Sequence, residues 1–280
     1  MRLRKVQKKK VKLKIGMSGP SGFGKTFSSL LLAHGITGDW EKVAVIDTEN
    51  GSADLYEDLG GYQVLTLKPP FSPEAYIGAI DECVNAGIEV IIIDSITHEW
   101  AGEGGCLDIS QALGGSFTSW AKVTPRHQSF VNKMLQCDAH VITTVRRKQE
   151  YEISKDDRGK QKVEKVGTKE ITRDGFEYEL TLNFEFINDK HLVTASKDRT
   201  GIFDGRHEFI ITEETGKELM TWANKGVDEV EAMEREFSAA TEGTFTDIAK
   251  KYLHLKSNPR YMKAGSDAKL RVAPNQATAS

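Results

Sequence analysis

The sequence predicts an α/β fold: a mainly parallel central sheet with helices on both faces and an antiparallel hairpin near its C-terminal end. Three observations carry this expectation. Val43-Ala-Val-Ile-Asp47 and Val90-Ile-Ile-Ile-Asp94 are apolar without alternation, the mark of strands covered on both faces, as parallel strands are. Between them, Ala75, Tyr76, Ala79, Ile80, Cys83 and Val84 recur at three- and four-residue spacing, which gives an amphipathic crossover helix. Later, Phe176, Tyr178, Leu180, Leu182, Phe184 and Phe186 alternate with polar residues, a period-two pattern that predicts a half-buried strand.

In chain order, Val11–Met17 reads as the first strand, running into a glycine-rich loop and then a helix from Phe27 to His34 that stops before Gly35. The basic flank before Val11 is open to two readings, a solvated arm or a nucleic-acid contact. Lys42–Asp47 and Val64–Leu67 are the next strands, the latter ended by Pro69-Pro70. A helix from Pro73 to Ala86, stopped by Gly87, leads to the strand Glu89–Asp94. Five glycines and two tryptophans between residues 100 and 122 predict a mobile loop holding a short helix. Pro125 is expected to open a helix through Leu135, before the strand His140–Val145. Arg146–Asp174 is dominated by charge and reads as a flexible hairpin. Asn188-Asp189 supplies the turn between the alternating strand and its partner His191–Lys197. A helix from Glu213 to Lys225 closes a core domain of residues 1–225. Two helical patterns form an appendage over 226–262, and 263–280 is expected to be a disordered tail.

Composition narrows the class. A net charge of -3 excludes a uniformly basic nucleic-acid binder while permitting a local basic patch. Cys83, Cys106 and Cys137 lack C-x-x-C spacing, which argues against a disulfide framework or a zinc site and fits a reducing cytoplasm. No run of eighteen apolar residues is present, so no membrane is expected.

The chemistry sits at strand ends. Gly19-Pro20-Ser21-Gly22-Phe23-Gly24-Lys25-Thr26 matches G-x-x-x-x-G-K-[ST] between a strand and a helix. In that pattern backbone N–H groups turn inward onto phosphate, the lysine reaches the β- and γ-phosphates and the hydroxyl ligates Mg²⁺. The helix N-terminus adds favourable partial charge. ATP and Mg²⁺ are therefore the expected ligands. Asp94, delivered by its apolar strand to the same sheet edge, is the second candidate for holding Mg²⁺. Glu49, after the strand that ends in Asp47, is the candidate base for the attacking water.

These residues, with the strand Val-Ile-Thr-Thr-Val145 and Arg146-Arg147-Lys148 after it, resemble the core of RecA-type recombination ATPases over residues 11 to 212. The resemblance implies that Glu49 activates water and that Tyr56 stacks on adenine, although a core or surface tyrosine fits that position equally. Ala195-Ser-Lys197-Asp-Arg199-Thr-Gly201 is similar to the Lys-x-Arg-x-Gly element of the RecA, RadA and DnaB group. There the cations cross to a neighbouring subunit's γ-phosphate, which implies a homo-oligomer with ATP between subunits. The run from the charged excursion to Gly201 is similar to small phage-encoded RecA-like annealing ATPases. Single-stranded DNA binding would then fall on residues 100–122 and 146–174. Arg146, Arg147 and Lys148 offer phosphate-neutralising cations and Tyr151 a stacking ring, with Glu150, Glu152, Asp156 and Asp157 interleaved. Thr144 stands where the family commonly has glutamine.

The expectation is an oligomeric, Mg²⁺-dependent ATPase, cytoplasmic, that binds single-stranded DNA and promotes annealing or strand exchange in phage recombination. Two alternatives share the core: a DNA motor or helicase-loading ATPase, and a nucleotide-gated scaffold that scarcely hydrolyses ATP. A single-strand-binding protein is a candidate partner of the tail, which nothing in the tail compels.

Overall fold

A computed structural model describes residues 11–155, 161–225, 229–256 and 258–272. The chain divides into two units, of which Lys12–Trp222 is the larger. Its strands are β1 (Lys14–Gly19), β2 (Val43–Asp47), β3 (Gln63–Thr66), β4 (Val90–Asp94), β5 (His140–Lys155), β6 (Gln161–Glu170), β7 (Leu182–Phe186), β8 (Leu192–Asp198) and β9 (Phe209–Ile210). Its helices are α1 (Lys25–Thr37), α2 (Pro73–Asn85), α3 (Thr97–Ala101), α4 (Cys106–Ala112), α5 (Trp120–Gln136) and α6 (Glu213–Ala223).

The sheet runs β3-β2-β4-β5-β1-β7-β8-β9, with β6 paired to the long β5. From β3 to β7 neighbouring strands are parallel, whereas β8, β9 and β6 pair antiparallel. This is the predicted α/β arrangement, with the antiparallel strands where the alternating pattern and the Asn188 turn place them. Every residue of β1, β2 and β4 is buried, as continuous apolarity requires.

One face of the sheet is covered by α2 and α5, where Tyr76, Ile80, Phe130 and Met134 pack with Ile91, Ile93 and Val141. Each such side chain contributes ~1.5–3 kcal/mol by leaving water. Outside that cluster α1 packs on β1, β4 and β5. It meets the start of α6 at Gly35, where a Cβ would stand 2.0 Å from the Glu213 carbonyl oxygen, so only glycine allows the approach.

Register sets the functional edge. Asp47 is level with Asp94, and Gly19 with Arg146. The carboxyl ends of β1, β2, β4 and the parallel part of β5 therefore meet at one edge, where open α/β sheets hold ligands.

Five expectations change. The helix expected to stop before Gly35 runs on to Thr37 and ends at Gly38, with Gly35 inside it at the close approach to α6. Residues 100–122 are largely helical: α3 and α4 occupy the stretch expected to be a loop, and the glycines are joints between helices rather than a continuous coil. Pro125 lies inside α5, which starts earlier at Trp120. Trp120 stacks on Trp100 at 5.4 Å, and this tertiary contact fixes the turn that precedes the proline. Phe176 to Glu179 form a 3-10 turn after Gly175 at φ 87°, not a strand. Phe176 and Leu180 are buried as a one-turn pair, so the first half of the alternation coincides with another geometry. In the second unit, α7 (Glu229–Ser238) and α8 (Glu242–Lys251) follow the two helical patterns, but α9 (Pro259–Val272) occupies the first part of the expected tail. Ala268 is buried with Met233, Phe237 and Tyr252, an apolar contact that the charged sequence around it hides.

Candidate functional site

The loop between β1 and α1 takes its shape from two glycines in the left-handed region, Gly22 at φ 82° and Gly24 at φ 86°. A Cβ on Gly24 would stand 2.8 Å from the His191 ring. Lys25, at the first helical position, folds back over the loop and donates to the Gly19 carbonyl at 3.0 Å and the Pro20 carbonyl at 2.8 Å. These neutral acceptors can be exchanged for phosphate oxygens, which offer a charge-assisted bond. Burial pulls the Lys25 ammonium down to about 8, with Asp94 opposing the shift and Arg146 adding to it.

Asp94, at the end of β4, is 4% exposed and accepts from Thr26 Oγ1 at 2.5 Å and Thr144 Oγ1 at 2.6 Å. Burial pushes its carboxyl up, against the pull of those two hydroxyls and Lys25. A buried carboxylate beside a threonine oxygen is a hard-oxygen donor set that suits Mg²⁺. Thr26 and Asp94 would hold the ion, which would neutralise charge on the β- and γ-phosphates.

Glu49 and Asp47 divide two roles that sequence alone leaves together. Asp47 is fully buried and accepts from the backbone N–H of Glu49 at 2.6 Å and of Ala53 at 3.2 Å, so it shapes the loop. Glu49 faces the cleft. Its Oε1 accepts from Ser95 Oγ at 3.1 Å and from Arg146 Nε at 2.9 Å, and its Oε2 pairs with Arg146 Nη2.

Together these groups line a cleft of about 360 Å³ formed by Ser21, Gly22, Gly24, Lys25, Thr26, Phe27, Glu49, Ser52, Tyr56, Asp94, Arg146 and His191. Tyr56 is thus at the cleft, its ring 5.9 Å from that of Phe27. Gly19 and Pro20 act through their carbonyls, and Phe23 is not among the lining residues.

Sequence reasoning missed Phe27, Ser52 and His191, and it did not assign Thr144 to Asp94. His191 arrives through the turn between β7 and β8, a placement no local pattern announces. Thr144 reaches Asp94 because β5 runs parallel beside β4, with Thr143 level with Ile93 one residue earlier.

A protein-family model described as an AAA domain matches residues 11–217. The chain belongs to the AAA-domain family. No curated protein matches its sequence. Among solved structures it is similar to a KaiC-like protein from the hyperthermophilic archaeon Pyrococcus horikoshii OT3, at 15% identity and a TM-score of 0.39, over 67% of this chain and 80% of that one. The residues 11–217 matched by the AAA-domain model include the phosphate loop and all four cleft-forming strand ends, as a P-loop ATPase domain requires. Among the described residues, no helix is long and apolar enough to cross a membrane.

Of the other predicted residues of the AAA domain that the structure describes, only Arg146 lines the cleft. Lys197 and Arg199 are at the opposite end of β7 from the phosphate loop: Lys197 is level with Asn183, while Gly19 follows Ser18, which is level with Glu185. Lys197 Nζ donates to the Glu177 carbonyl at 2.8 Å and to that of Tyr178, and Arg199 Nη2 donates to the Tyr178 carbonyl at 2.7 Å. Of the expected DNA-binding residues, Arg146 holds Glu49, and Arg147 pairs with Glu185 and donates to the Thr168 carbonyl at 2.9 Å. Lys148 is exposed on a broad groove of about 1090 Å³, which it shares with Trp100, Leu107, Phe117, Trp120, Lys169, Glu170, Arg173 and Asp174. Phe117 is 93% exposed there. The Tyr151 side chain lies outside the described residues.

Proposed function

We propose that this AAA domain is a Mg²⁺-dependent ATPase of RecA type that assembles with further copies and binds single-stranded DNA, promoting annealing or strand exchange in phage recombination. The observation that carries the DNA-binding part is the groove. Exposed and half-buried aromatic rings stand beside Lys148, Lys169 and Arg173, the combination that stacks bases and neutralises phosphates without reading sequence. Glu170 and Asp174 on the same wall restrict the cationic surface to part of it.

The cleft supplies the hydrolytic half. Backbone N–H groups of the loop and Lys25 bind the phosphates, and Glu49 orients and deprotonates water once Arg146 releases it. Lys197 and Arg199 are too far from their own cleft along β7 and serve a neighbour's nucleotide. Hydrolysis then loosens the subunit contact and releases DNA.

The pairing of Glu49 with Arg146 specifically favours a second reading, a scaffold that uses ATP for assembly and hydrolyses it slowly. One experiment separates the two. The full chain is titrated into a fluorescent oligonucleotide with and without ATP at two salt concentrations, and phosphate release is followed in parallel. Salt-sensitive binding strengthened by ATP, with release stimulated by the oligonucleotide, supports the recombinase. Binding without stimulated release supports the scaffold, and no binding at low salt removes the DNA role. Annealing of complementary strands without unwinding of a forked duplex separates recombination from a motor.

A further inference from the structure

We propose that Glu99, Cys106 and His127 form a three-ligand site for a borderline transition-metal dication, Zn²⁺ by donor chemistry, separate from the nucleotide cleft. The three side chains come from α3, the first position of α4 and α5, and the residues are 1%, 0% and 3% exposed. Their donor atoms all lie within 4.8 Å of one another. Cys106 Sγ is 3.2 Å from Glu99 Oε1, and His127 Nδ1 is 3.1 Å and 3.0 Å from the two carboxylate oxygens.

The backbone is bent to make this meeting. A Cβ on Gly105 would stand 2.6 Å from the His98 carbonyl oxygen and 2.7 Å from that of Glu99. Only a glycine there lets the chain turn tightly enough to return Cys106 over Glu99. The imidazole is oriented by packing, with Trp100 edge-on to it at 5.4 Å.

Chemistry distinguishes the cluster from ordinary core polarity. Among the described residues, neither lysine nor arginine bridges to Glu99; its carboxylate is met by the Cys106 S–H and by His127 Nδ1 at 3.0 Å, a pair that is ionic only when the imidazole is protonated. A buried carboxylate gains where a cation replaces that proton. One sulfur, one nitrogen and one oxygen donor converging on a point match Zn²⁺, whereas Mg²⁺ and Ca²⁺ take oxygen alone. Binding would form a metal–thiolate bond and release the Cys106 proton to solvent, leaving a position for a water ligand. Isolated cysteines without C-x-x-C spacing gave no hint of the site, because its ligands are joined by the packing of three helices. The ion would clamp α3, α4 and α5, whose residues Trp100, Leu107 and Trp120 line the aromatic groove.

The test uses the full chain without nucleotide or DNA, so its result is independent of the recombinase reading. After exposure to zinc sulfate and gel filtration, atomic emission should find about one zinc per chain. Cobalt(II) alone should produce a thiolate-to-metal charge-transfer band and the intense visible bands of a tetrahedral site. Cys106→Ser should abolish the charge-transfer band and weaken zinc binding about tenfold or more, whereas the Cys83→Ser, Cys137→Ser double variant should keep both. Retention of the band by the double variant assigns the thiolate to Cys106 even where Cys106→Ser fails to fold. A wild-type chain that retains no zinc, or a band that disappears with Cys83 and Cys137, overturns the proposal.

Discussion

The nucleotide cleft and the β8 end that carries Lys197 and Arg199 contrast sharply in how completely one chain furnishes them. At the cleft, strand ends converge, each charged group has a defined partner, and Lys25, Thr26 and Asp94 touch or nearly touch. At the β8 end, two cations from one turn converge instead on the carbonyl of Tyr178, a neutral acceptor on an exposed residue. A guanidinium and an ammonium that share the Tyr178 carbonyl, the ammonium also reaching the Glu177 carbonyl, have only neutral acceptors and gain little compared with a phosphate. On the proposed trans arrangement, the cleft would be the binding half of a composite site and the Lys197–Arg199 pair the half offered to a neighbour.

The largest expected effect breaks that division directly. Arg199→Ala should lower DNA-stimulated turnover by about 10³-fold or more, the scale of a trans-acting arginine in phosphoryl transfer, while single-subunit ATP binding is unchanged. Mixing Arg199→Ala with Lys25→Ala should restore part of the activity, because an intact Arg199 then faces an intact phosphate loop. Full turnover by Arg199→Ala alone, measured as phosphate release, would remove the trans role. Within the cleft, Glu49→Gln should cost about 10²–10⁴-fold in turnover with ATP affinity retained, the range for a lost general base. An equal loss of affinity would make Glu49 a binding residue.

The contrast also explains what the sequence made legible. The placement of the phosphate loop, Asp94 and Glu49 in one cleft was readable because a buried strand delivers each to the same edge of the sheet. The parallel character of the sheet, though not its strand order, followed from the same apolar runs. Helices α3 and α4 were not readable, since Gly102 to Gly105 and Gly114-Gly115 look like coil when they are helix joints, and the stack of Trp100 on Trp120 that organises them is tertiary. Partner identity was equally hidden: Arg146 looked like a DNA contact by composition, yet lies on Glu49 because β1 and β5 align Gly19 with Arg146.

A smaller effect sharpens the binding half. Lys25 is held near 8 by burial in the free protein, and phosphate beside it would raise that value. The charged form is the one that binds, so ATP affinity should be flat below about pH 8 and fall about tenfold per pH unit above it. Binding should take up a proton in that alkaline window. Calorimetry in buffers of different ionisation enthalpy reads the uptake, and affinity unchanged to about pH 10 would place Lys25 outside the phosphate contact.

The smallest effect joins the cleft to the groove. Arg146 stands at the root of the β5 and β6 hairpin, two residues before the groove-lining Lys148. Its bidentate hold occupies both carboxylate oxygens of Glu49, so on the proposed mechanism DNA contact near Lys148 would act on the base through this arginine. The pair is partly solvated, with the Arg146 side chain 38% exposed, and breaking it is worth ~1 kcal/mol or less. Arg146→Ala should therefore raise DNA-independent phosphate release by at most about fivefold and lower the further stimulation by oligonucleotide by a similar factor. Arg146→Lys, which keeps charge but not the fork, should fall between. A drop in basal release with unchanged stimulation would show that Arg146 assists the water-activating step rather than restraining it.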